Sequence, residues 1–241
     1  MSGQSTVLLA GGSGLIGRRL QSLLKEQGYA VRILSRRRTE DPGDYYWDPE
    51  RGFLNPDAVE GADYIVNLAG ANVGDKNWSA RRKREIIESR TQSARILYKT
   101  LVEMKRYPKA YISASATGIY GDRGDELVTE ESRHGEGFLA EVVKVWEQAA
   151  AQIKNLDIRT VILRIGVVLS DRGGALPKLA GPVKMFAGAP LGDGNQYMSW
   201  IHEEDVCGMI LKAIQDRKWN GVYNAVAPEA QTNAEVTRAI A

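Results

Sequence analysis

The stretch Gly11-Gly12-Ser13-Gly14-Leu15-Ile16-Gly17 follows the apolar run Thr6-Val7-Leu8-Leu9-Ala10 and opens a helical pattern, so its glycines are placed to hold a phosphate. A strand that turns tightly at Gly11, lacks a Cβ at Gly14 and packs its helix closely at Gly17 lets a pyrophosphate approach the backbone. The first helical amides then face the phosphates with unpaired N–H groups and the positive end of the helix dipole. The predicted chemistry is dinucleotide binding by Gly11, Gly14, Leu15, Ile16 and Gly17.

The second apolar run ends in Ser35-Arg36, followed by Arg37 and Arg38. In such a fold this position meets the adenosine ribose, where an Asp or Glu would accept hydrogen bonds from the 2′-hydroxyl of NAD. A carboxylate repels a 2′-phosphate, whereas a guanidinium binds one in a forked geometry and a serine hydroxyl donates to it. Ser35 and Arg36 therefore predict NADP as the cofactor, while Arg37 and Arg38 read as a solvated basic loop.

Groups able to move a proton are sparse. Ser115, within Ser113-Ala114-Ser115-Ala116-Thr117 at the end of the fourth predicted strand, is the candidate catalytic residue. Its hydroxyl could bind a carbonyl or hydroxyl substrate, or be satisfied by backbone. Tyr120, beside Gly121, reads as packed, His202 as structural and His134 as exposed in a polar loop. Neither histidine has the carboxylate and cysteine spacing of a metal site, so no metal is predicted.

The elements that must position these residues are legible as alternating apolar runs and helical patterns, which reads as a parallel sheet with helices on both faces. Strands are predicted at Thr6 to Ala10, Ala30 to Ser35, Tyr64 to Leu68, Ala110 to Ala114 and Arg159 to Ile165, with a return near Gly221 to Ala225. Between the second and third of these, Asp41-Pro42-Gly43 and Asp48-Pro49 break any regular element, with Trp47 packed as core. From Asp171 to Trp200, Gly173-Gly174, Pro177, Gly181-Pro182, Gly188, Pro190, Gly192 and Gly194 punctuate short apolar pieces, which read as substrate-lobe or lid material. Thr232 and Glu235 make a capping box for a last helix with no stop signal. The expected fold class is α/β, a Rossmann-type doubly wound parallel sheet with a small, C-terminally truncated substrate lobe. Residues 1–170 would form the dinucleotide-binding core, and 171–241 a mixed segment of the same structural unit.

Composition bounds the rest. With 32 Lys and Arg against 30 Asp and Glu, the chain of 241 residues is too evenly charged for a nucleic-acid-coating surface. The basic run Arg81-Arg82-Lys83-Arg84 leads into Glu85 and Glu88 and reads as a solvated helix face. The single Cys207 cannot form an internal disulfide, and no apolar run matches a membrane span or signal-peptide core. The expected partner is a small-molecule substrate of unknown identity, with no nucleic acid and no membrane. A cytoplasmic location is expected, with an organelle matrix as the alternative; the oligomeric state stays open.

The glycine turn, Ser35-Arg36, Asn67-Leu68-Ala69-Gly70 and Trp200-Ile201-His202 with Asp205 resemble an extended short-chain dehydrogenase/reductase. Trp78 with Lys83, Ile86 and Ser89-Arg90, then Trp146-Glu147, Leu163-Arg164, Gly166 to Leu169 and Thr232 to Glu235 narrow this to the atypical NADP-binding epimerase-family branch, the SDR39U1-like proteins. The resemblance runs over essentially the whole chain. It implies that Leu68 and Ala69 line the adenosine, that Glu85 and Arg90 reach the cofactor from the next helix, and that Val168 lies near the nicotinamide end. Taken alone, Glu85 and Arg90 would read as surface charges.

Short-chain dehydrogenases normally place a Tyr and a Lys four residues later on one helix face, so that the ammonium lowers the phenol's pKa. No tyrosine in this chain has Lys at that spacing. Counted back from Glu147, the two positions hold Leu139 and Val143, which join Val142, Trp146 and Ala150 in an apolar stripe. Lys144 falls between Glu141 and Glu147 as an expected solvated ion-pair partner. Two readings stay open: an NADP-dependent oxidoreductase or epimerase-like enzyme acting on a small carbonyl or hydroxyl substrate, and an NADP(H)-binding sensor without redox activity.

Overall fold

The structure is a computed structural model and describes residues 4–184 and 192–240. In chain order its strands are β1 (Thr6–Ala10), β2 (Ala30–Ser35), β3 (Asp44–Asp48), β4 (Phe53–Leu54), β5 (Tyr64–Asn67), β6 (Ala110–Ala116), β7 (Arg159–Ile165), β8 (Val167–Ser170), β9 (Gly173–Gly174), β10 (Tyr197–Met198), β11 (Trp200–His202), β12 (Gly221–Ala225) and β13 (Gln231–Thr232). The α-helices are α1 (Leu15–Glu26), α2 (Ala80–Met104), α3 (Phe138–Ala151), α4 (Ala175–Lys184), α5 (Glu203–Gln215) and α6 (Asn233–Ile240).

The main sheet runs β12-β7-β6-β5-β1-β2-β3-β4, parallel throughout except for the β3–β4 pair. Strand order reverses beside β1, which pairs with β2 on one side and β5 on the other. Open α/β sheets bind ligands at such a reversal, outside the carboxyl ends of the strands. Helices cover both faces, which is why β1 is apolar at successive positions: Val7 and Leu9 pack in one core, Leu8 and Ala10 in the other. The first core takes Leu20 and Leu24 from α1 and Val206 and Ile210 from α5. The second takes Ile96, Leu97 and Leu101 from α2 and Ala150 from α3.

Local chemistry sets the helix ends. The Ser79 hydroxyl accepts from Arg82 N at 3.2 Å to start α2, which stops at Lys105 in the left-handed region (φ 51). His202 Nδ1 accepts from Glu204 N at 3.3 Å, and Glu203, Glu204 and Asp205 complement the dipole in the first turn of α5. The capping box at α6 is reciprocal, Glu235 N donating to Thr232 Oγ1 at 3.3 Å and Thr232 N to Glu235 Oε2 at 2.8 Å.

Two expectations are corrected here. The connection after β2 holds a regular strand, β3, whose Asp44-Tyr45-Tyr46 pairs with β2 while Trp47 pairs with β4; the breakers flank it rather than dissolve it. The residues from Asp171 onward include α4, a helix that tolerates Pro177 because a first-turn amide has no helical acceptor. Gly188 and Pro190, read as lobe punctuation, lie outside the described residues. Trp47 is core as expected, at 3% exposure. Cys207 is buried and unpaired, and among the described residues no helix is long and apolar enough to cross a membrane.

Candidate functional site

A cleft of about 780 Å³ opens where β1, β2 and β5 end. Its floor is the β1–α1 turn, and the crossing there leaves no room for side chains. A Cβ on Gly11, whose φ is +84, would lie 2.8 Å from the Leu68 carbonyl, and one on Gly17 would lie 2.3 Å from the Gly11 carbonyl oxygen. Gly14 caps α1 with no side-chain acceptor, so the leading N–H groups of Leu15, Ile16 and Gly17 point from the helix end without a capping side chain. Such an end suits an anion.

Gly11, Gly14, Ser35, Arg36, Leu68, Ala69 and Glu85 line the cleft together, as a sequence-based reading of a nucleotide site requires. Ser35 Oγ is engaged locally, donating to the Arg37 carbonyl at 2.8 Å and accepting from Arg37 N at 3.1 Å. Arg36 is exposed on the rim with no acceptor among the described residues. Leu15 and Ile16 turn their side chains away, Leu15 against the β8–β9 hairpin and Ile16 into the core. Val168 also lies off the cleft walls, on β8 beside Ile201 and against the core.

The far wall is built from α2 and the loop after β5. Arg82, only 7% exposed, donates to the Asn72 carbonyl and pairs with Glu85 at 2.6 Å, so the basic run is not wholly a solvated face. That hydrogen bond holds the exposed Glu85 carboxyl below the usual range. Arg90 stands behind the wall rather than on it: it donates to the Ala71 and Ile86 carbonyls at 3.0 Å, packs against Gly70 and stacks over Trp146 at 5.0 Å. Burial, with Arg82 nearby, lowers its pKa to about 10.

Ser115 faces α3, away from the cleft. Its hydroxyl donates to Glu147 Oε1 at 2.5 Å, and Glu147 in turn accepts Arg164 Nε at 2.9 Å and Nη2 at 3.0 Å. Arg164 also donates to the Tyr120 hydroxyl and the Glu130 carbonyl, both at 2.9 Å, and Tyr120 donates to Asn224 Oδ1 at 2.6 Å. Burial opposes the Arg164 charge, but the hydrogen bonds it donates to Glu147 and Tyr120 raise its pKa overall. The Ser115 proton is thus committed to a carboxylate, and Tyr120 is packed as expected. His134 is exposed, with Nε2 3.4 Å from Arg164 Nη2, and His202 serves as a helix cap.

On α3 the positions expected for an acid–base pair diverge. Val143 is 4% exposed against Ile119 and Tyr120, but Leu139 is 37% exposed beside Gly118, so it leaves the apolar stripe to which it was assigned. Lys144 pairs with Glu141 at 2.7 Å; Glu147 is taken by Arg164 instead. Among the described residues no three His, Cys, Asp or Glu side chains form a metal cluster.

Several wall residues were not anticipated: Gln21, Asp44, Trp47, Asp48, Glu50, Asn72, Arg82 and Gln92. The aromatic run Tyr45-Tyr46-Trp47 was the available signal for the β3 wall, since such residues favour strands. The Glu147–Arg164 pair was signalled by a charge inside the apolar strand β7, because a buried charge demands a partner.

A model of the NAD dependent epimerase/dehydratase family matches residues 7–225. An epimerase family protein of Mycobacterium leprae is 36% identical over 239 residues, 99% of this chain and 77% of that protein. Human SDR39U1 is 33% identical over 97% of this chain and 78% of its own length. Among solved structures, the nucleoside-diphosphate sugar epimerase from Corynebacterium glutamicum matches with a TM-score of 0.87 and 39% identity, covering 99% of this chain and 50% of that one. Human SDR39U1 isoform 2 with NADPH matches with a TM-score of 0.85 and 32% identity over 98% of this chain and 80% of that one. The chain therefore spans half the length of the Corynebacterium protein.

Proposed function

This chain belongs to the NAD dependent epimerase/dehydratase family, the atypical extended short-chain dehydrogenases/reductases, and from that premise we propose that its cleft binds NADP(H) and serves a small carbonyl or hydroxyl substrate. The observation that carries the cofactor choice is the rim at the end of β2. Arg36 stands there without an acceptor among the described residues, while two of the nearby carboxylates are engaged: Asp44 by the Thr39 hydroxyl at 2.9 Å and Asp48 by Arg51 N at 3.1 Å. A free guanidinium at this point matches a 2′-phosphate. The human relative solved with NADPH supports the same choice.

In this reading the amides from Leu15 to Gly17 and the Gly11–Gly14 turn take the pyrophosphate, and Ser35 and Arg36 take the 2′-phosphate. Leu68 and Ala69 line the adenosine, and Glu85 faces it from α2, whose wall Arg90 braces from behind through the Ala71 and Ile86 carbonyls. Bound there, NADPH would supply a hydride. With Leu139 and Val143 at the acid–base positions, no side chain of α3 moves the accompanying proton; because the Ser115 hydroxyl is held by Glu147, it passes instead through water or a backbone donor. The test is turnover of NADPH across a broad panel of carbonyl substrates, with Gly14→Asp as control. Turnover in the wild type alone is expected.

The apolar Leu139 and Val143 favour a second reading, an NADP(H)-binding sensor. Absence of turnover across the panel in protein that binds NADPH would replace the enzyme by the sensor. A partner's affinity should then differ between the NADP- and NADPH-loaded forms.

A further inference from the structure

At the opposite edge of the sheet, where β5, β6 and β7 begin, lies a second concavity of about 350 Å³ lined by Tyr64, Lys109, Arg159 and Arg217. The strand register explains the cluster. Tyr64 stands beside Ala110, which stands beside Arg159, so Tyr64, the residue preceding β6 and the first residue of β7 fall side by side across neighbouring strands. Arg217 closes the ring from the turn after α5.

The cations differ in what already holds them. Arg159 is fixed by the carbonyls of Ala213 at 2.8 Å and Trp219 at 2.7 Å, which orients it without neutralising it. Lys109 Nζ lies 2.7 Å from Asp63 and over the Tyr64 ring at 5.7 Å, and Asp63 is further engaged by Thr6 N at 2.8 Å. The other carboxylate facing the group, Asp216, is taken by Lys212 at 3.0 Å and by Lys218 N at 2.9 Å. Arg217 has no acceptor among the described residues, and its charge works against the protonated forms of both Lys109 and Arg159. The hollow is therefore lined by three positive groups and a phenol; Lys109 is paired with Asp63, Asp216 is bound outside the lining, and Arg159 and Arg217 face no carboxylate partner among the described residues.

We propose that this concavity is a binding site for a small tetrahedral dianion, either inorganic phosphate or a phosphomonoester. The free guanidinium fork of Arg217 matches phosphate oxygens in pairs, the remaining Lys109 N–H groups and the Tyr64 hydroxyl add single donors, and Arg159 contributes a fixed charge. The site is separate from the nucleotide cleft: the residues from Tyr64 to Leu68 carry the chain about 13 Å from one edge of the sheet to the other. It stands independently of the reading of that cleft.

Calorimetric titration with inorganic phosphate and, separately, glycerol 2-phosphate, at constant ionic strength, tests it on four proteins. These are the wild type, Arg217→Glu, Arg95→Glu as an equal charge change on an exposed face of α2, and Arg36→Ala to report on phosphate binding in the cleft. Saturable wild-type binding is expected at concentrations below about 10 mM, weakened about tenfold or more in Arg217→Glu and by less than about twofold in the other two. The tighter of the two ligands identifies the source of the dianion. Absence of saturable binding by either ligand overturns the proposal. So does equal weakening in Arg95→Glu, or loss in Arg36→Ala with Arg217→Glu unaffected.

Discussion

Removing the Glu147 carboxylate should damage this fold more than removing any exposed charge. Glu147 accepts three hydrogen bonds, two from Arg164 and one from Ser115, and the Arg164 side chain is 4% exposed. In Glu147→Ala the guanidinium keeps only neutral acceptors, the Tyr120 hydroxyl and the Glu130 carbonyl. Leaving one member of a buried pair uncompensated costs about 3–5 kcal/mol. For a domain of this size that corresponds to a fall in Tm of about 6–20 °C. Glu147→Gln, which keeps one carbonyl acceptor but loses the charge, should cost about 1.5–3 kcal/mol. The double variant Glu147→Leu with Arg164→Met removes both charges and should recover most of the loss, because a buried pair replaced by apolar groups of similar volume is close to neutral. Urea and thermal denaturation followed by circular dichroism measure all three. If Glu147→Ala stays within about 1 kcal/mol of wild type, or the double variant is no more stable than Glu147→Ala, the network does not hold charge in the way its geometry implies.

Other outcomes follow from individual contacts. Gly17→Ala places a Cβ 2.3 Å from the Gly11 carbonyl oxygen and should push α1 off the turn, lowering NADPH affinity about tenfold or more at a stability cost of about 1–3 kcal/mol, read by nucleotide titration and urea melts. A graft of the acid–base pair should fail at one position only: Leu139→Tyr, at a 37% exposed site, should fold normally, whereas Val143→Lys buries an ammonium against Ile119 and Tyr120 and should melt far earlier. Asp63 is held below its ordinary value of 3.8, since the Lys109 and Thr6 hydrogen bonds outweigh the upward push of burial. The stability it provides is present above that value and lost as pH falls through its lower folded pKa, so wild type and Asp63→Asn should differ at pH 7 and converge in acid melts.

Much of this arrangement was legible because it is written locally. The β1–α1 turn declares itself through glycines at fixed offsets after an apolar run, and the Thr232–Glu235 box through residues three positions apart. Strands β1, β2, β7 and β12 fall where their apolar residues and flanking turn signals put them. What escaped was tertiary. Strand β3 is flanked by Pro42-Gly43 and Pro49, and only its pairing with β2 turns an apparent loop into a wall of the cleft. Glu147 read as a partner of Lys144 because both lie on α3; its true partner, Arg164, is brought near by the packing of α3 on the sheet. Leu139 belonged to the apolar stripe by periodicity, but the stripe passes out of the core at the first turn of α3. Likewise the basic run hid one buried member, Arg82, held by the loop carbonyl of Asn72 as well as by Glu85.

The assignment of the cleft to NADP(H) is tested most directly by titrating wild type and Arg36→Asp with NADPH and with NADH. A charge-assisted contact to the 2′-phosphate predicts that the wild type binds NADPH more tightly by about 10- to 150-fold, and that the variant loses or inverts this preference. Wild type that binds NADH as tightly as NADPH, or a preference unchanged in Arg36→Asp, would contradict the account.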